Sequence, residues 1–250
     1  MARYHCSSFK PFFSHLLTCT REARSALYRR AKLLFDFDAE ISSVAKSQAA
    51  LLLASWSFPG SSVSHKPSVP WLSIAIEHAK NAEAHRYQEL GIAPCDQAIL
   101  KRLWWCCVIR DRVLSLVARR GIQIDRGQFD FDFKAPLGLF DLADEFHRSK
   151  VHDLSTKVDL AKIFELLVEL CIVLTDILQL AFPIEDKLSR GKLHIAAWKG
   201  VRECRLALHK WHQRAVSRLA RFASPSSAVS DGHEYHDSVI LYTNLLRMYY

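Results

Sequence analysis

The sequence predicts an all-α protein: one multi-helix domain of about seven helices packed around a buried helix with adjacent tryptophans. Three observations predict it. Apolar residues recur three and four apart through almost the whole chain, the period of a helix with one buried face. No pair of neighbouring stretches alternates as two strands would. Half of the 250 residues are apolar and only eight are Gly and eight Pro, a globular composition long enough to bury a sizeable core.

The elements follow in order. Residues 21–35, "REARSALYRRAKLLF", form a basic amphipathic stretch. Asp38 to Trp56 opens with an acidic turn and continues through "SQAALLLASW", rich in strong helix formers. Pro, Gly and Ser mark 57–70 as a loop. Residues 71–90 are helical again, with Leu72, Ala75, Ile76, Ala79 and Ala82 on one stripe and Gly91 as the C-cap. Asp96, after Pro94, is the expected N-cap of a long helix that runs to Arg119–Arg120, with Gly121 just beyond. The helical period breaks over 121–140; "QFDFDF" alternates but is short and flanked by Gly and Pro, so an extended loop is expected there. Helices over 157–182 and 190–222, a linker over 224–232 and a last helix over 233–249 complete the chain. Residues 1–20 read as a tail and 21–250 as the domain.

The helix that Asp96 is expected to cap is apolar all round, which places it centrally. Leu103, Cys107, Leu114 and Val117 share one side; Trp104, Val108, Ser115 and Ala118 a second; Trp105, Ile109 and Leu116 a third. Cys106 and Cys107 are expected to pack as small residues. Asp111 is not expected to face Arg110 or Arg112, because adjacent helical positions diverge. A buried carboxylate without a partner is costly, so ion pairs to other helices, or bonds to the backbone after Gly121, are expected.

Composition narrows the function classes. The net charge is +8 with a pI near 9.2. Residues 186–221 alone carry ten Lys and Arg against Asp186 and Glu203, which favours an acidic partner, nucleic acid or anionic lipid. On the helix of 190–222, Leu193, Ala197, Val201, Cys204, Leu208, Trp211, Ala215 and Phe222 form the inner stripe. Lys199, Arg202, Lys210, Arg214 and Arg218 form a candidate phosphate-contacting face, with Arg221 beyond them; the plainer reading is a solvated face. The apolar run 164–182 has the length of a membrane span. It contains Glu165, Glu169 and Asp176, each costing about 2.5–3.5 kcal/mol at a bilayer centre, so a buried helix and no membrane are expected.

Seven cysteines, an odd number with Cys106 and Cys107 adjacent, point to free thiols in a reducing compartment. Met1–Ser14 lacks the apolar core of a signal peptide. Two histidine pairs, His209/His212 and His233/His236, stand at i, i+3 without the further ligands a metal site needs. There is no G-x-S-x-G turn, phosphate loop or EF-hand spacing. No catalytic, cofactor-binding or metal residue is expected.

The stretch "LKRLWWCCVIRDRVLSLVARRGIQID" resembles the signature helix of the fungal-specific transcription factor domain, the middle homology region of fungal zinc-cluster regulators. Lys101–Arg102, Leu103, Trp104–Trp105, Asp111–Arg112 and then Gly121, Ile122 and Ile124 carry the likeness. The Trp-Trp-Cys-Cys and Arg-Asp-Arg version is most similar to the cutinase transcription factor group. "YRRAKLLFDFDAE" with "KSQAALLLASW", "PWLSIAIEHAKNAEAHR" and "DSVILYTNLLRMYY" resemble other helices of that domain, so the likeness runs over about 24–250. It implies a non-enzymatic regulatory domain in the nucleus that modulates RNA polymerase II transcription. The family reads DNA with six cysteines around two zinc ions, whereas residues 1–23 hold only Cys6 and Cys19. DNA contact is then expected only through a module missing here or through a partner, either another regulator or a second copy. No cofactor is expected in this chain, and its ligand is unknown. Relatives of the family continue past a position like Tyr250, so a C-terminal truncation is expected. The competing readings are an α-helical enzyme or small-molecule binder whose Trp-Trp helix lines a cavity, and a phosphate or nucleic-acid binder acting through the basic helix.

Overall fold

In the computed structural model, the described residues are 20–55, 68–131, 135–148, 150, 152–183, 193–223 and 233–248. They form eight α-helices and two short 3-10 turns, with no strand among them, so the all-α class holds. The N-terminal tail, the linker 224–232 and most of the loop at 57–70 lie outside the described residues.

The chain divides into two compact units at Ala82/Glu83. The first holds α1 (Thr20–Asp36), α2 (Ser43–Ala54) and α3 (Ser68–Asn81). Small residues make close helix contact possible here: Ala50 and Ala54 of α2 and Ala75 and Ala79 of α3 are wholly buried. The Ser47 hydroxyl donates to the Ala75 carbonyl at 2.7 Å, which satisfies a buried polar group across the pair. Tyr28 and Trp71 complete this core, the indole N–H donating to the phenol oxygen at 3.0 Å. The acidic turn ahead of α2 is not its cap. Asp38 has φ 52° and pairs with Lys46, while Ser42 caps the helix by accepting from the Ala45 amide at 3.3 Å.

The helix expected over 71–90 stops at Asn81. Glu83 takes φ 56°, a left-handed conformation that ends the helical path, and a 3-10 turn at Ala84–Arg86 follows. Gly91, at φ 59°, therefore closes a later turn rather than capping the helix.

The second unit holds α4 (Pro94–Ala118), the single turn α5 (Leu139–Leu142), α6 (Leu154–Ala181), α7 (Leu193–Ala223) and α8 (His233–Met248). Ala93, not Asp96, is the N-cap of α4. Pro94 supplies the fixed φ of a first helical position, and Asp96 lies in the first turn near the positive end of the helix dipole. At the other end Arg119, not Gly121, is left-handed, with its amide bonded to the Ser115 carbonyl. Asp153 caps α6 by accepting from the Ser155 and Thr156 amides at 2.9 and 3.2 Å.

α6 and α7 pair antiparallel. Trp211 of α7 donates its indole N–H to the Leu166 carbonyl of α6 at 3.1 Å. Towards the other end of the pair Gly200 lies against Leu180. Leu166, Leu170, Leu174 and Leu178 of α6 join Trp211, Ala215 and Leu219 of α7 and Val239 and Leu246 of α8 in one core cluster. The acids inside the apolar run of α6 are answered. Glu165 and Glu169 meet Arg218, and Asp176 accepts from Arg126 at 2.9 Å. No helix among the described residues is long and apolar enough to cross a membrane.

Candidate functional site

The signature residues of α4 lie in the interior of the second unit. Trp104, Trp105, Asp111 and Arg112 are all 0% exposed. The helix is not buried on every side, however: Cys106 and Val117, three turns apart, face outward, so Cys106 does not pack as expected. Trp104 stands against His85 and Phe129, with ring centroids 5.6 and 5.7 Å away. Trp105 meets Phe129 and Phe131 edge-on at 5.9 and 6.1 Å. The two phenylalanines come from the "QFDFDF" stretch. Phe129 and Phe131, two residues apart, both reach Trp105, and their own ring centroids lie 5.0 Å apart. No strand partner is needed, because the tryptophans are the partner surface.

Asp111 and Arg112 form a network in which each guanidinium nitrogen has an acceptor. Asp111 Oδ2 accepts from the Gln123 and Ile124 amides at 2.9 and 3.0 Å, so the expected bonds to the backbone after Gly121 are present. It also accepts from Arg112 Nη1 at 2.7 Å, which corrects the expectation that adjacent residues could not pair. The two Cβ atoms diverge, but the arginine stem is long enough to swing its guanidinium back. Arg112 Nη2 donates to the Ile124 carbonyl at 2.7 Å, and its Nε to the Thr175 hydroxyl of α6 at 3.0 Å. That hydroxyl in turn donates to the Cys171 carbonyl at 3.0 Å. The guanidinium also lies 5.3 Å from the Phe131 ring centre, within cation–π range.

Burial pushes the Asp111 carboxyl up, against the pull of Arg112 and the two amides. Burial also draws the Arg112 guanidinium down, against Asp111. The three N–H donors on Oδ2 oppose the burial effect on Asp111, because they favour the charged carboxylate over the neutral acid. Cys171 beside the pair has its thiol pushed up to about 12 by burial, which makes it an inert packing group.

At the start of α4, Lys101 Nζ binds both carboxylate oxygens of Asp141, at 2.9 and 2.8 Å. Arg102 reaches Asp144 at 2.9 Å. The signature from Lys101 to Arg112 thus ties one helix to α5, to the loop 121–131 and to α6.

The basic face of α7 is split. Arg218 binds Glu165 and Glu169, each at 2.8 Å, and Arg214 approaches Glu169 at 3.8 Å. These two cations serve the α6–α7 seam. Lys199, Arg202 and Lys210 point to solvent, Lys199 with only the exposed Glu203 at 3.9 Å. The inner stripe is also shorter than expected. Trp211, Ala215 and Leu219 are buried, whereas Val201 is exposed. The side chains of Leu193, Ala197 and Phe222 lie outside the described residues, as do those of His233 and His236. His209 is exposed against Gln213. Among the described residues no group of three or more His, Cys, Asp or Glu could hold a metal ion.

Six participants were not singled out in the sequence: Phe129, Phe131, Asp141, Asp144, Thr175 and Arg126. Only the Phe alternation gave a local signal. Thr175 and Arg126 act through partners 63 and 50 residues away, and no periodicity reports such a pairing.

A family model described as the fungal specific transcription factor domain matches residues 7–213. Cutinase transcription factor 1 beta of Fusarium vanettenii is 33% identical over 114 residues, which cover 45% of this chain and 13% of that protein. Transcription factor cpaR of Aspergillus oryzae is 31% identical over 144 residues, 51% of this chain and 23% of that protein. A Fusarium pseudograminearum protein named Transcription factor is 30% identical over 125 residues, 46% of this chain and 14% of that protein. The chain thus spans less than a quarter of the length of each of these relatives. No solved structure matches. With the family model covering most of the chain, and its Trp-Trp and Asp-Arg pairs forming the interior of the second unit, the chain belongs to the fungal specific transcription factor domain family.

Proposed function

We propose that this chain is a non-enzymatic regulatory domain of a fungal transcription regulator, located in the nucleus and acting on RNA polymerase II transcription. The observation that carries this is how its signature is used. Trp104, Trp105, Asp111 and Arg112 are all wholly buried: the two tryptophans pack against rings, and Asp111 and Arg112 bond to the backbone and to Thr175. Residues so enclosed specify a fold; they do not meet a substrate. The family's characteristic residues therefore maintain a scaffold, and regulation is exerted by the surface that the scaffold presents. The names of its relatives, all transcription factors, agree with that role. DNA is reached through a DNA-binding module or partner other than these residues, since the seven cysteines do not include a six-cysteine zinc cluster. The chain itself uses no cofactor.

A reporter assay tests this. The chain is fused to a heterologous DNA-binding module and tethered upstream of a promoter. Output is expected to change relative to the module alone, and Trp104→Ala is expected to abolish the change by removing the core. Unaltered output from a folded, nuclear fusion would sink the proposal.

A further inference from the structure

The surface of α7 before Trp211 has a composition that a solvated helix does not require. At 100° per residue, Gly200, Cys204 and Leu208 share the inward side with Trp211, Ala215 and Leu219. The outward side centres on Leu206, which is 51% exposed, and takes in Trp198, which is 68% exposed. These two stand about 12 Å apart along the axis, at 1.5 Å per residue. Around them lie Lys199, Arg202, Arg205 and Lys210 against the single acid Glu203. No ion pair links Arg202, Arg205 or Lys210 to another described residue, and the Lys199–Glu203 pair is too exposed to hold Lys199. Arg214 and Arg218, further along, are by contrast directed at α6.

We propose that this face docks an acidic amphipathic helix from a partner protein, its carboxylates on Lys199, Arg202, Arg205 and Lys210 and its apolar side chains on Trp198 and Leu206. Charge complementarity selects the acid, and the two exposed anchors select a peptide. A nucleic-acid backbone would engage the cations but leave Leu206, at the centre of them, against phosphate. A lipid surface takes a helix whose apolar face is separate from its basic one. Here the apolar stripe of Leu208, Trp211, Ala215 and Leu219 is already in the core, and the outward anchors are interspersed with cations.

The test is fluorescence anisotropy of a labelled, helix-forming peptide of Glu and Leu titrated with the full chain. It is run at about 0.15 M salt, where charges beyond about 8 Å are screened. Saturable binding is expected, weakened about tenfold by Arg202→Glu and, separately, about tenfold by Leu206→Ser. Both positions are exposed, so circular dichroism and melting should match the parent protein. Three results overturn the proposal: no binding, binding that Leu206→Ser and a Leu-free peptide leave unchanged, or preference for a DNA duplex or phosphatidylserine vesicles over the peptide.

Discussion

Asp111 and Arg112 show how much one residue's cost depends on its neighbour. Neither is exposed at all, so each leans on the other as its nearest opposite charge. Arg112→Met leaves a buried carboxylate with two amides and only Arg120, 3.9 Å away, as counter-charge, and is expected to cost about 3–5 kcal/mol in urea denaturation. The double variant Asp111→Asn/Arg112→Met should cost clearly less than the sum of the single changes, because each single change includes the penalty of stranding the other. Additivity would show the pair to be uncoupled. Asp153 makes the pH argument from the opposite side. The Thr156 and Ser155 hydroxyls, then their amides, hold its carboxyl well below the usual carboxylate range. A folded-state pKa that is depressed stabilises above the unfolded value and ceases to do so as pH falls through the folded one. The stability advantage of the parent over Asp153→Ala is therefore expected to be full above the ordinary carboxylate range, near 3.8, and to shrink as acid is added below it. Thermal melts across that range measure it.

At the scale of elements, α6 and α7 are joined by two kinds of contact, and their magnitudes rank them. The Arg218 pairs to Glu165 and Glu169 are about a third exposed. Pairs so placed are worth up to about 1 kcal/mol each and are screened by salt. Trp211 is 2% exposed and sits in the shared core. Its loss to alanine is expected to cost about 3–5 kcal/mol. Arg218→Ala should thus lower stability by about 1–2 kcal/mol, an effect that fades at high salt, while Trp211→Ala should keep its larger effect. Equal effects would reassign the seam to electrostatics. The same ranking explains why α7 splits: the half with Trp211, Ala215 and Leu219 is packed, and the half before it keeps its cations and two apolar anchors in water.

Across the whole molecule, the chain's +8 charge lies largely on α7 and its approach, while the family signature lies inside the second unit. Interior and surface therefore carry different information: the first identifies the family, and the second carries the charge. Helical periodicity was enough to give the class, the positions of the long helices and the burial of the Trp-Trp stretch, because an apolar stripe every three or four residues has to be covered. It placed helix ends less well. Glu83 and Arg119, both left-handed without being Gly, ended helical segments where nearby glycines were expected to. It also failed at Cys106, since a run that is apolar all round does not reveal which strip meets no neighbour.

What the sequence determined by itself was the all-α class, the central helix, the free thiols of the described cysteines and, through resemblance to a known family, the membership that Trp104–Trp105 and Asp111–Arg112 signal. The first three follow from residue type and local spacing. Only the tertiary structure decided that Arg112 turns back onto Asp111, that Phe129 and Phe131 cover the tryptophans, and that Arg218 serves α6 while Arg202 and Lys210 remain in solvent. The physical reason is range. Helix propensity and amphipathicity act over a few residues, whereas a buried charge is satisfied by whatever the fold brings to it, here an amide 12 residues on and a hydroxyl 63 residues on.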